Sequence, residues 1–226
     1  MLKRCYSVGC LKPLGMLMFN LLFQHAQKYL QPFLHCQLCH SATVAQHSVC
    51  LDCWHSLPWQ KDLIQKQDLS IWVACRYDYP INRIIHQFKY EQQLHYQALL
   101  AASLLQLNLP KVQAIVPMPI SHDRLTERGY NQTVLLAKIL SKQLNIPIWQ
   151  PLLRHKQMQQ KGLNRLERLD NIQKQFFLAR KPKKIYRRVL ILDDVVTTGA
   201  SLNALKQSLE HLGCQKVYAC CVANAI

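Results

Sequence analysis

The chain is poor in acidic residues and glycine, and it has no long apolar run. Twelve Asp plus Glu stand against 28 Lys plus Arg, giving a formal net charge of +16 over 226 residues. That imbalance points to a polyanionic partner: nucleic acid, a phosphorylated metabolite or an anionic membrane surface. A merely solvated basic surface is the plainer alternative. With six glycines, ten prolines and half the residues apolar, the composition excludes a disordered or low-complexity chain. No run reaches the roughly 18 apolar residues of a membrane span. The longest approach, Leu14–Phe23, has Lys3, Arg4 and Lys12 ahead of it, but no small-x-small cleavage site follows cleanly. Met16 or Met18 is an alternative start. No Gly-x4-Gly-Lys-Ser/Thr occurs, which excludes a Walker P-loop.

What is present divides into three parts. Residues 1–34 are an N-terminal extension with a helix expected over 16–34. Residues 35–58 are short, rich in Cys and His, and read as a metal module. From about residue 70 to 226, strand patterns alternate with helical ones. Strands are expected at Ile71–Tyr77, Val112–Val116, Ile148–Leu153, Val189–Leu192 and Lys216–Val222. Helices are expected around Ile81–Phe88, Leu94–Leu107, Gln132–Leu144 and Leu202–Leu212, with Pro117–Tyr130 as a loop. This alternation predicts an α/β domain: a mainly parallel sheet flanked by helices, preceded by the small four-cysteine module. Ligands in such sheets sit beyond the carboxyl ends of strands. That draws attention to the loops after Val116, Leu192 and Tyr77.

VLILDDVVTTGAS (Val189–Ser201) carries the sharpest chemistry. A fully apolar run fits a strand buried on both faces. It ends in Asp193 and Asp194, where carboxylates can reach a ligand. Thr197, Thr198, Gly199, Ala200 and Ser201 then turn into a helix, whose first N–H groups and positive dipole end suit a phosphate. Two acids would repel phosphate alone. They make sense beside a sugar phosphate, where carboxylates accept from vicinal hydroxyls. The simpler reading is that Asp194 or a threonine caps the helix.

This stretch resembles the phosphoribosyl-pyrophosphate (PRPP) signature of type I phosphoribosyltransferases. The resemblance implies Asp193 and Asp194 on the ribose hydroxyls, close to the reacting sugar carbon, and the 5′-phosphate in Thr197–Ser201. Three more blocks, Tyr77–Tyr90, Val116–Lys138 and Gly162–Phe176, resemble the ComF/GntX family of competence-associated phosphoribosyltransferase-like proteins. The resemblance covers nearly the whole chain. It implies a type I phosphoribosyltransferase fold with an N-terminal zinc module, Mg²⁺ with PRPP, a role in natural transformation and DNA uptake, and single-stranded DNA or a helicase-like competence protein as partner. The alternative is a nucleotide-salvage enzyme with no DNA role, and whether phosphoribosyl transfer occurs at all stays open. The family commonly has a threonine where this chain has Gln157.

Arg124 and Arg128, whose guanidinium forks suit oxyanions, are expected to face pyrophosphate, which the equivalent loop holds in the family resembled, or a nucleic-acid phosphate; the plainer alternative is an ion pair with Glu127 or a neighbouring carboxylate. Lys89 is a further candidate phosphate contact. Residues 154–188 hold twelve Lys or Arg against only Glu167 and Asp170. They read as a basic flap over the site or as a nucleic-acid track, with Lys161, Arg165, Arg168, Lys183 and Lys184 as candidates.

Cys36-Gln-Leu-Cys39 and Cys50-Leu-Asp-Cys53 are spaced for one tetrahedral ion, and four thiolates suit a structural Zn²⁺, with His35, His40, His47 and His55 close enough in sequence to substitute for a ligand. Some ComF-like relatives carry further pairs, but none lies between Cys53 and Cys75, so one zinc is expected. Reduced thiols point to the cytoplasm. Cys75, Cys214, Cys220 and Cys221 read as buried strand or helix-end residues.

Overall fold

The computed structural model describes residues 35–155, 175–178 and 181–225, so the helix expected over 16–34 lies outside the described residues. The chain forms two compact units, dividing between Leu51 and Asp52. The described part of the first is a knuckle closed by the bridges His35↔Thr43 and Gln46↔Val49. Its tight turns use positive φ at His40, His47 and Ser48.

α1 (Leu51–His55) starts at the last residue of the first unit, and the second unit goes on to build a sheet. β1 (Trp59–Lys66) and β2 (Leu69–Arg76) form an antiparallel hairpin. β3 (Ala114–Pro117), β6 (Arg188–Val196) and β7 (Lys216–Asn224) complete the order β1-β2-β7-β6-β3, with every pairing after the hairpin parallel. β4 (Leu152–Arg154) and β5 (Phe176–Leu178) make a separate antiparallel pair. The expected parallel α/β architecture is what the chain adopts.

Burial explains the order. Leu190, Ile191 and Leu192 are fully buried at the centre, as a strand covered on both faces must be. Val189 and Ile191 face a core shared with Leu202, Leu205 and Leu209 of α6 (Ala200–His211). On α2 (Ile81–Tyr90), Ile81, Ile84, Ile85 and Phe88 are all buried, the apolar stripe their spacing requires. α5 (Gln132–Leu144) runs between the bounds the periodicity gives. Asn131 accepts from the Thr133 N–H at its start, and Asn145 takes the left-handed conformation at its end.

Several elements differ from the sequence reading. The expected loop Pro117–Tyr130 contains α4 (His122–Arg128), a short helix whose one buried residue is Arg128 and which therefore has no apolar periodicity. Its signals are at its ends: Ser121 accepts from the Arg124 N–H, and Gly129 has φ +79°. The Leu94–Leu107 helix is a 3-10 turn, Leu94–Tyr96, followed by α3 (Gln97–Leu105). Ile148 only bridges Ile115, and the strand that follows pairs with β5 instead of the main sheet. β1 brings the sheet's start forward to Trp59; this edge strand has no buried residue, so its sequence carries no sustained apolar–polar alternation. β6 does not stop at Leu192. Its pairing with β7 continues to Val196↔Asn224 and carries both aspartates within the strand.

Candidate functional site

Asp194 sits at the carboxyl end of β6, 3% exposed. A carboxylate that dry needs partners, and three elements supply them. Lys89 Nζ of α2 lies 2.8 Å from Oδ1, Gln132 Nε2 of α5 donates to Oδ2 at 3.0 Å, and the Val195 N–H donates to Oδ1 at 2.7 Å. Burial alone would lower the pKa of Lys89, but the charges of Asp194 and Asp193 and the hydrogen bond to Asp194 raise it overall. The candidate phosphate contact Lys89 is therefore the counter-ion of Asp194. The candidate cap Asp194 does not cap α6, because Gly199 heads that helix with no side-chain cap.

Asp193 is half-buried. Its Oδ1 accepts from the Asp194 N–H at 2.9 Å. Burial and the neighbouring charge of Asp194 push its carboxyl up to about 7, against the opposing pull of Lys89 and Arg154. Cys221 is its neighbour on β7. The thiols of Cys220 and Cys221 are driven up by burial, and Cys75 and Cys214 are also buried, as expected, with thiols pushed up to about 12 and about 11.

Past β6 the chain turns through Thr197 and Thr198, both exposed, to the buried Gly199. At φ +79° this position favours glycine, and a Cβ here would stand 2.9 Å from Lys66 Cβ. The Thr198 hydroxyl reaches the Ala200 N–H at 3.4 Å. Ala200 and Ser201, both half-buried, open α6. The turn thus offers hydroxyls and helix-start N–H groups beside an acid pair, a geometry suited to a sugar phosphate.

Arg154, on β4, is the residue that sequence reasoning missed. Its Nη2 donates to Ser201 Oγ at 3.3 Å and to Gln175 Oε1 at 2.9 Å. Burial and the nearby charge of Arg124 lower its pKa, while Asp193 raises it. Arg154 therefore joins Asp193, Ser201 and Arg124 in one electrostatic neighbourhood. Arg128 is buried, with its guanidinium 4.7 Å from the centre of the Tyr90 ring. The loop before α5 is fixed by Asn131 Nδ2 and Thr133 Oγ1, which both donate to the Met118 carbonyl, and by the Tyr130 hydroxyl donating to the Phe88 carbonyl. Gln132 lies in the Val116–Lys138 block, but nothing in the sequence ties it to Asp194, 62 residues away, or Arg154 to Ser201, 47 residues away.

The sulfurs of Cys36, Cys39, Cys50 and Cys53 all lie within 4.8 Å of one another, an arrangement that could hold a metal ion. Cys39 and Cys50 Sγ are 3.9 Å apart, close to the edge of about 3.8 Å of a tetrahedron with metal–sulfur bonds of about 2.3 Å. Burial raises the Cys36 thiol, but N–H groups of Cys39, Cys50 and Leu38 and the Cys39 side chain bring it down to about 6, favouring the thiolate a metal needs. Among the described residues no histidine joins this group.

Of the nucleic-acid candidates, Lys161, Arg165 and Arg168 lie outside the described residues. Lys183 and Lys184 are exposed and precede the amino end of β6, away from the acids. Among the described residues no helix is long and apolar enough to cross a membrane.

The chain is similar to known proteins along most of its length. Residues 131–226, which run from α5 through β7, match the phosphoribosyl transferase domain. Competence protein F of Haemophilus influenzae is 33% identical over 222 residues, covering 91% of each chain. Competence protein ComFC of Bacillus subtilis is 26% identical over 79% of this chain and 72% of its own. The DNA utilization protein YhgH of Escherichia coli is 27% identical over 84% of this chain and 90% of its own. Among solved structures, a purine phosphoribosyltransferase from Pyrococcus horikoshii aligns with 65% of this chain and 73% of its own, at 19% identity and a TM-score of 0.31. Relatedness along nearly the full length, together with the phosphoribosyl transferase domain, establishes that this chain belongs to the ComF family of competence-associated, phosphoribosyltransferase-like proteins.

Proposed function

We propose that the protein acts in natural transformation, binding PRPP with Mg²⁺ at Asp193–Ser201 and single-stranded DNA through a basic surface. The observation that carries the ligand reading is the start of α6 at the left-handed Gly199, which has no side chain to cap it, with Arg154 on Ser201 and Asp193 alongside. The 5′-phosphate would take the Thr197–Ser201 turn and the Arg154 guanidinium. The ribose hydroxyls would donate to Asp193 and Asp194. Arg124 would meet the pyrophosphate. Mg²⁺ would ride with that pyrophosphate, since it keeps several waters and binds few carboxylates directly; when bound it would neutralise the leaving group's charge. Zn²⁺ in the four-cysteine cluster would be structural, because four thiolates leave no open position.

The DNA role draws on the names of the relatives, competence and DNA utilization proteins, and on the net charge of +16. The four cysteines read as a thiolate metal site suit a cytoplasmic protein, and a helicase-like partner fits the same pathway class.

A second reading is an active phosphoribosyltransferase in nucleotide metabolism with no DNA role, favoured by the domain match over 131–226. There the bond from the ribose C1 to pyrophosphate would break as an acceptor attacks C1, with Asp193 and Asp194 beside the developing positive charge. Thermal unfolding with PRPP and Mg²⁺ tests the site. A stabilisation that Asp193→Ala plus Asp194→Ala abolishes is expected, and no PRPP-dependent shift in the wild-type protein would refute it. Oligonucleotide binding with a steep salt dependence separates the two readings: its absence leaves only the enzyme.

A further inference from the structure

The parallel strands have two ends. The ligand site takes the carboxyl end. At the amino end, β6 begins at Arg188 and β7 at Lys216, and these two residues are partners in the sheet. The chain leading into β6 contributes Lys183, Lys184 and Arg187, and the chain leading into β3 contributes Lys111. All six cations are exposed.

They are held as one array. The Gln113 side-chain oxygen accepts from the N–H groups of Arg187 (2.9 Å) and Arg188 (3.2 Å), and the Gln113 N–H donates to the Arg188 carbonyl at 2.8 Å. The Arg187 carbonyl accepts from the N–H groups of Gln215 and Lys216 at 2.8 and 2.9 Å. The backbone therefore fixes three basic segments side by side, at the ~4.8 Å spacing of neighbouring strands.

Counter-charge is missing from these segments. No Asp or Glu occurs in residues 107–122, 171–192 or 211–226. Asp68, at the β1–β2 turn, and Glu210, near the end of α6, lie outside these segments; Lys206 is 3.8 Å from Glu210 Oε1 and donates to the Asp68 backbone carbonyl at 2.8 Å. Among the described residues none of the six cations is in an ion pair. A solvated basic face would carry interspersed acids; this one does not.

We propose that the amino end of the sheet is a docking surface for single-stranded nucleic acid, separate from the ligand site at the other end. The inference rests on the DNA reading above and gives that reading a place. One row of cations across three strand ends suits one phosphate backbone. Beside the row, Ile185 is 49% exposed, giving a base apolar surface to lie against, while Tyr186 is packed on Trp149 with Lys184 over its ring. The nine residues of β6 put roughly 25 Å between the two ends. Strand and sugar phosphate can then be bound at once.

Fluorescence anisotropy of labelled oligo-dT against salt concentration tests this, using the full chain with Lys184→Gln, Arg187→Gln, Arg188→Gln and Lys216→Gln together. Loss of four phosphate contacts should make the log–log salt slope shallower by about three and weaken binding by more than about tenfold near 0.1 M salt. Arg187→Lys with Arg188→Lys should keep most of the affinity. If the wild-type protein binds no oligonucleotide, the DNA reading itself falls. If it binds and the fourfold variant binds equally well, the location is wrong while the DNA reading stands. A stronger preference for duplex DNA or anionic vesicles, lost in the same variant, overturns the single-strand assignment. Should the variant fold poorly, hydrogen exchange of the wild-type protein decides: protection of residues 183–188 and 215–217 by oligo-dT is expected, and protection confined elsewhere overturns the proposal.

Discussion

Asp193→Asn separates a buried acid from its charge. The Asp193 carboxyl is held at about 7 in the folded protein against an ordinary value near 3.8. Between those values the folded chain keeps a proton that the unfolded chain has released. Stability therefore falls as pH rises through that window and levels off above about 7. One pKa unit is about 1.36 kcal/mol, so the full displacement is worth at most about 4 kcal/mol. Asp193 is only half-buried, and residual water reduces this. Asparagine does not titrate, so the variant lacks the slope. Urea denaturation of both proteins at about pH 5 and pH 6.5 should show the wild type losing about 1–2 kcal/mol relative to Asp193→Asn over that interval. Histidines and thiols common to both proteins cancel in the difference. Parallel profiles, or a wild type that gains on the variant as pH rises, would refute a carboxyl kept neutral by burial.

Lys89→Met removes the counter-ion of the buried Asp194 and should cost about 3–5 kcal/mol by the same denaturation measurement at pH 7; a loss below about 1 kcal/mol would mean that Gln132 and the Val195 N–H suffice. Gly199→Ala forces a side chain into the left-handed region and against Lys66. It should cost about 1–2 kcal/mol and lower PRPP affinity, read from the melting temperature with and without ligand. Arg154→Ala should weaken PRPP binding by about tenfold to a hundredfold in calorimetry, the range of a charge-assisted hydrogen bond; unchanged affinity would remove Arg154 from the phosphate site. Elemental analysis should find one zinc per chain, and chelation should lower the melting temperature, whereas a metal-free protein of equal stability would refute a structural ion.

The sequence reveals those parts of the site that lie in one contiguous stretch. Val189–Ser201 states strand, acids, turn and helix start in order, because each needs its own residue type. It does not reveal that Lys89 answers Asp194, or that Arg154 reaches Ser201, because such contacts form only when distant segments pack. The same limit hides α4 and β1. α4 buries only Arg128 and β1 buries no residue fully, so burial imprints no sustained period on either. The basic stretch 154–188 looks like one object in the sequence. In the fold its first residue, Arg154, bonds Ser201 at the start of α6, and its last residue opens β6 at the other end of the sheet.

β6 also bears on how the protein can be dissected. Arg188 opens this strand and Asp194 lies near its close, with β3 and β7 hydrogen-bonded along its flanks. No truncation, proteolytic cut or domain swap can therefore deliver a fragment with one end and not the other. The two surfaces are inherited as one piece, and only point substitutions can assign separate duties to them.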